Sequence, residues 1–305
     1  MRNYLLQRLL QIIPVLLIIT LVVFTLVYVA GDPVSLMLPE DASTADREAL
    51  REALGLNEPF LYQYIQFVTE ISRGNFGTSF RYNQEALPLV LERLPATFEL
   101  AAASMFIAII IAIPLGIYSA RKRNSFTDIF ITGSSVLGKA MPNFWLGIML
   151  ILFLAVNHTV FPVSGRGTLM HLVLPAITLG TGVAAEMTRL IRSSMLEILG
   201  EDYIRTATSK GLSERKVIFK HAFRNSLISV VTIIGLQVTH LVSGALITET
   251  VFSWPGLGQL LIQAVNGRDM AVVQAAVFVI AILVIFINLF TDLTYRLLDP
   301  RIKYT

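Results

Sequence analysis

Residues 9–30 read LLQIIPVLLIITLVVFTLVYVA, an apolar run with no charged side chain. A helix that crosses the hydrocarbon core of a bilayer needs about 20 such residues. Arg2 and Arg8 precede the run, as basic residues precede the core of a signal peptide. The stretch is too long for a typical signal core, and no clear small-residue cleavage site follows before Gly31-Asp32-Pro33. It is therefore read as a retained membrane helix. Composition agrees: the 305 residues are 54% hydrophobic and 15% charged, with a mean hydropathy of +0.68. Soluble domains of this length rarely combine so little charge with so much apolar content.

Five more runs follow. Leu100–Ala120 ends at Arg121-Lys122-Arg123, and Ile129–Val156 is interrupted by Lys139 and Pro142. Leu172–Ile191 is the weakest, because Glu186 and Arg189 lie within it. Asn225–Thr248 and Met270–Thr291 complete the set. In lipid these runs must be helical, since every backbone amide needs a partner inside its own segment. The sequence thus predicts an all-α integral membrane protein with six transmembrane helices.

Lys and Arg placement orients the spans. One side collects Arg2 and Arg8, then Arg121, Lys122 and Arg123. It also collects Arg205, Lys210, Arg215, Lys216, Lys220 and Arg224, and finally Arg296, Arg301 and Lys303. Short loops on the other side hold only Arg166 and Arg268. The long Gly31–Glu99 segment also holds Arg47, Arg51, Arg73, Arg81 and Arg93, outnumbered there by acidic residues, and long loops report topology poorly. Both termini are therefore expected in the cytoplasm. This confinement also argues against nucleic acid as the reason for the pI of about 9.2. The chain has no Cys, which excludes disulfides and thiol chemistry.

Two loops exceed a simple connection. In the external one, Ser43 or Thr44 can cap a helix through Ala45–Leu54 that ends at Gly55. Pro59 can open a second helix, on which Phe60, Tyr64, Phe67 and Ile71 recur at helical spacing. Gly74 and Gly77 interrupt the chain beyond that helix. The aromatic stripe reads either as a docking surface for an external protein or as a cap packed on the bundle or the membrane surface.

The internal loop runs from Ser193 to Arg224. Asp202 can cap a short helix, Gly211 suits the left-handed position that ends one, and Ser213 can cap the next. The expected pattern is a short helix, a Gly turn and a second helix. By itself such a charged hairpin reads as a solvated connector or as a partner site.

The Arg205-Thr206-Ala207…Gly211 stretch resembles the cytoplasmic loop shared by permease subunits of ABC importers, the EAA motif. Other stretches resemble the dipeptide, oligopeptide and nickel branch of that family. They are the start of the chain through Gly31-Asp32-Pro33, Leu54-Gly55-Leu56, Gly74-Asn75-Phe76-Gly77 and Leu94-Pro95-Ala96-Thr97. Pro142-Asn143-Phe144-Trp145-Leu146, Trp254-Pro255-Gly256-Leu257-Gly258 and Asp299-Pro300-Arg301 complete the set, which covers nearly the whole chain. Arg205 and Thr206 stand where the general motif has Glu and Ala, and Arg224 where it has Pro.

The resemblance implies a type I importer permease. Residues 1–30 would be an N-terminal transmembrane helix, 31–95 an external helical loop or cap, and 96–298 the core that includes the 193–224 loop. In that family the short loop helix docks on the ATPase. The residues carried over to this role are Asp202, Tyr203, Ile204, Arg205, Thr206, Ala207, Lys210, Gly211 and Leu212. Arg205 and Lys210 supply charge, Ala207 allows close approach, and Ile204 or Leu212 fills an apolar pocket. The implied partners are a second related permease, two cytoplasmic ATPases that bind ATP and Mg, and an external or periplasmic substrate-binding protein. The implied location is a bacterial or archaeal cell membrane. Peptides are the first expected cargo, with nickel chelates and glutathione as alternatives.

No cofactor is expected on this chain. Gly133–Ala140 approaches the phosphate-loop pattern but ends in Ala and lies inside an apolar span, without the strand that pattern requires. HExxH and GxSxG patterns do not occur, and His158, His171, His221 and His240 are scattered. Within the spans, Lys139 either lines the pathway and attracts a peptide carboxylate or pairs with a carboxylate or carbonyl. Asn143, Gln237 and His240 are further pathway candidates. Glu186 and Arg189 are spaced to pair on one helix face, and Asn288 and Asp292 are read as structural. An ion-driven secondary transporter is the distant alternative, although no internal repeat or mid-membrane acidic pair supports it. An intramembrane enzyme would need a nucleophile–base pair, which is not found.

Overall fold

The computed structural model describes residues 2–30, 34, 38, 43–53 and 55–298. Gly31-Asp32-Pro33, Leu54, Asp299-Pro300-Arg301 and the Asp292 side chain lie outside the described residues. The chain divides into two compact units, Met1–Pro95 with Gln259–Ile285, and Ala96–Gly258 with Phe286–Thr305.

The first unit begins with α1 (Arg2–Ala30), which carries Pro14 inside. Then come α2 (Thr44–Ala53), α3 (Phe60–Ser72), a two-stranded hairpin of β1 (Thr78–Ser79) and β2 (Gln84–Glu85), and α4 (Ala86–Leu91). Gly55, Gly74 and Gly77 all adopt positive φ, so the glycines end or redirect the helices as the sequence predicts. The Phe60, Tyr64 and Phe67 rings pack on Phe24 of α1, with centroids 5.2–5.6 Å apart. Phe76 packs on Phe278, 5.3 Å between centroids, and Ser79 Oγ donates to the buried Asp269 carboxylate.

The second unit contains α5 (Leu94–Arg121), α6 (Phe126–Ala140), α7 (Asn143–Leu150, continued by a π turn over Ile151–Asn157) and α8 (Leu169–Leu199). The short α9 (Asp202–Ser209) follows. Next, α10 (Glu214–Lys216) runs through a π turn, Val217–Phe223, into α11 (Arg224–Val251). The chain then returns to the first unit through α12 (Leu257–Asn266), which the apolar runs do not predict, and most of α13 (Met270–Leu298). In the second unit α8 is central and packs against α6, α7 and α11. At Gly180, a Cβ would stand 2.7 Å from the Ser104 carbonyl oxygen, so glycine lets α8 approach α5 backbone to backbone.

Four helices are long and apolar enough to cross a membrane, and six if each of two bent pairs is one span. One bent pair is α6 with α7, at 99°. The sequence reading had a single interrupted span here. Met141 precedes Pro142 and is extended, with ψ 126, because the ring of a proline clashes with a helical predecessor. The helix therefore stops at Ala140 and restarts at Asn143.

A second consequence of packing is a polar knot. Trp254 Nε1 donates to the Ala96 carbonyl at 2.8 Å. Thr97 Oγ1 donates to Glu249 Oε1 at 2.7 Å and accepts the Leu257 N–H at 2.8 Å. Gly258 N–H donates to Glu249 Oε2 at 2.7 Å, and Trp254 N–H to the Glu249 carbonyl at 2.8 Å. Glu249 and Trp254 are fully buried. A Cβ on Gly256 would overlap the Glu249 carboxylate, so this glycine is required by space. Thr97→Val keeps the shape but strands the Leu257 N–H. It is expected to cost about 1–3 kcal/mol, read as a lower melting temperature of the detergent-solubilised protein. Thr97→Ser is expected to restore it, and an unchanged melting temperature for the Val variant would refute the account.

Candidate functional site

The α6–α7 break gathers polar residues that lie far apart in the sequence. Lys139 sits in the last turn of α6 and Asn143 at the start of α7. Lys139 Nζ donates to Glu186 Oε2 of α8 at 2.6 Å. Gln237 of α11, itself buried, and His240 lie close enough to interact with the same carboxylate. Asn143 lies beside Gly182, one turn from Glu186 on α8. The four pathway candidates read from the sequence thus form one cluster. The residue missed is Glu186 in this role. Its expected partner was Arg189, but the structure gives it Lys139 from another helix. Spacing along one helix reveals only neighbours on that helix, and the α6–α7 bend is what brings Lys139 across. The Lys139 and Glu186 side chains remain 55% and 30% exposed, so the pair borders open space.

The 193–224 loop is braced from both sides. Asp128 of α6 is buried, accepts two hydrogen bonds from Arg192 at 2.6 and 2.7 Å, and accepts Ser119 Oγ at 2.5 Å. This anchors the end of α8 that leads into α9. Arg121, at the end of α5, donates to both carboxylate oxygens of Glu214, at 2.6 and 2.8 Å. Such planar two-point pairs fix direction as well as distance.

Between these braces, α9 starts at Asp202, with Glu201 in the N-cap position and no side-chain cap bond. Asp202 therefore sits in the first turn, where its charge favours the positive end of the helix dipole, and is not the cap expected from sequence. Ser213 occupies the N-cap position of α10, also without a side-chain cap bond. Gly211, at φ +76, follows the helix, and Leu212 N–H reaches back to the Ala207 carbonyl at 3.4 Å. That is the closing pattern of a left-handed glycine cap. The second helix of the expected hairpin is the entry into α11.

Ile204 and Ala207 are buried in this chain's own core beside Val217, Ile218 and Ala222, and Leu212 packs against the same cluster. The expectation that Ile204 or Leu212 fills a partner's pocket, and that Ala207 admits a partner, is corrected here: a helix lying on its own bundle buries its apolar stripe inward. The Tyr203 hydroxyl accepts Asn225 Nδ2 at 2.9 Å. Asp202, Tyr203, Arg205, Thr206, Lys210 and Gly211 are exposed.

The remaining candidates resolve simply. Gly133–Ala140 is helical and offers no phosphate loop. No group of three metal-ligating side chains occurs among the described residues. Asn288 Oδ1 accepts Thr239 Oγ1 at 3.0 Å, the bond between helices expected of a structural residue.

Residues 112–304 match the family described as the binding-protein-dependent transport system inner membrane component, and residues 1–101 match its N-terminal family. The oligopeptide transport system permease protein AppB of Bacillus subtilis (strain 168) is 42% identical over the full length of both chains. The dipeptide transport system permease protein DppB of Escherichia coli (strain K12) is 40% identical, covering all of this chain and 99% of that one. The glutathione transport system permease protein GsiC of Pectobacterium atrosepticum is 41% identical over the whole of both. Among solved structures, an inward-facing MetNI methionine ABC transporter chain superposes with a TM-score of 0.61 at 20% identity, covering 69% of this chain and 96% of that one. Membership of the family implies a complex with other ABC-transporter subunits. The chain belongs to the binding-protein-dependent transport system inner membrane components, and is a multi-pass permease of an ABC importer.

Proposed function

We propose that this chain forms half of the translocation pathway of an ATP-driven importer of di- or oligopeptides, and that α9 is its coupling helix. The observation that carries the reading is the construction of α9. Its apolar side is locked into the core, the segments on either side of it are braced by ion pairs, and its polar side, with Asp202 and Arg205, stays open. A helix built this way transmits displacement to α8 and α11 instead of bending. The partners in this reading are a second related permease, two cytoplasmic ATPases that bind ATP and Mg, and an external binding protein. Six spans with both termini in the cytoplasm put α9 on the ATPase side, and the Lys and Arg distribution supports that orientation. The names of the relatives support peptide cargo, and the glutathione permease among them supports a second reading with glutathione as cargo.

In this reading the Lys139–Glu186 cluster faces the pathway. An ion pair this open is costly against lipid and is tolerated where it borders a polar cavity or a partner. Lys139 then meets the carboxylate of a passing peptide, and Gln237 and His240 line the same wall.

Two experiments test the reading. Gly211→Ile places a β-branched residue at φ +76 and redirects the end of α9. It is expected to leave membrane insertion intact while ATP hydrolysis no longer drives uptake; normal coupled uptake would sink the coupling role. Lys139→Met, measured in proteoliposomes with the whole complex, is expected to slow peptide uptake about tenfold, a barrier increase near 1.4 kcal/mol, without loss of assembly. Unchanged uptake and substrate range would remove Lys139 from the pathway.

A further inference from the structure

We propose that α3 lies in the headgroup–acyl boundary of the leaflet holding the C-terminal end of α1, with Leu61 and Ile65 inserted among lipid chains. The depth of α3 follows from what it touches. The membrane-crossing stretch of α1 is Leu10–Val29. Phe24, which meets the Phe60, Tyr64 and Phe67 rings, lies five residues inside that end, about 8 Å along a helix rising 1.5 Å per residue. The Tyr64 hydroxyl goes deeper, donating to the Leu17 carbonyl at 3.0 Å and lying 3.1 Å from Thr20 Oγ1. Those atoms are about 14–18 Å from Val29, near the middle of a hydrocarbon core about 30 Å thick.

A phenol at that depth needs protein partners, because water is absent. Tyr64 has them in Leu17 and Thr20. Thr69 is likewise satisfied, by the Ile65 carbonyl at 2.8 Å. The large exposed residues of α3 are Leu61, Tyr62 and Ile65, at 65, 57 and 57%, with the polar side chains of Gln66 and Thr69 beyond them toward the C-terminal end. Charge stands at the two ends: Glu58 lies just before the first turn, and Glu70, in the last turn, accepts Arg73 at 3.4 Å and Asn75 at 2.7 Å. Apolar residues about 8 Å below the span end, flanked by polar groups on both sides, match the geometry of helices that lie about 5–10 Å into the boundary. An aqueous protein would have to displace lipid to reach them. The aromatic stripe thus seats the helix on α1, and its exposed apolar residues take lipid.

The chain has no cysteine, so Leu61→Cys and Ile65→Cys each place a single spin label on it. The labels are read in the assembled complex, with cysteine-free partner subunits, reconstituted in phosphatidylcholine–phosphatidylglycerol vesicles. Collision with oxygen is expected to exceed collision with an aqueous nickel chelate several-fold at both positions, as at Val22→Cys on α1, and the order is expected to reverse at Arg73→Cys. Chelate access at 61 and 65 equal to that at 73 would overturn the proposal. Low collision with both reagents would also overturn it, since a protein partner would then cover the face. Where a label disturbs assembly, the same cysteines are read in native membrane vesicles. There, slow reaction with an impermeant maleimide at 61 and 65, beside fast reaction at 73, supports the proposal, and equal rates overturn it.

Discussion

Backbone amides withdrawn from water must be paired inside their own segment, and this requirement organises the molecule. Long helices satisfy it largely without help, and α1, α5, α8 and α13 are each long and apolar enough to cross a membrane. Such a helix can change direction only where the ladder is broken and the loose groups find other company. Pro142 makes such a break between α6 and α7, and one group of polar side chains gathers beside it. Lys139, Asn143 and Glu186 meet there because the helix carrying Lys139 ends where the next begins.

The same economy governs the 193–224 loop. A solvated connector would have its apolar residues outside or none at all. Here Ile204, Ala207, Val217, Ile218 and Ala222 continue the bundle core outward past the ends of the membrane helices. Glu214 then ties the entry of α11 to α5, while Asp128 ties α6 to the last turns of α8. The short helix is an extension of the bundle, and its orientation follows that of the helices beneath it.

The knot around Glu249 shows how separate sequence fragments become one structural unit. Thr97, Leu257 and Gly258 each donate one hydrogen bond and Trp254 donates two, and Gly256 supplies the space. A carboxylate buried this fully is tolerated only when its lone pairs are occupied. Removing one donor therefore leaves a cost that the others do not offset.

The sequence by itself determined the class of fold, the position of each apolar run, the glycine turn at 211 and the pathway candidates. These rest on local rules: hydropathy over a helix length, the φ preference of glycine, and the rarity of charge in lipid. It also carried the family resemblance, residue by residue. Only the tertiary structure decided that Glu186 partners Lys139 and not Arg189, and that Ile204 and Ala207 face inward. It alone decided that the aromatic stripe of α3 rests on α1. The reason is the same in each case: a residue's partner across the bundle depends on where helices bend and cross, and neither periodicity nor spacing along one chain segment encodes that.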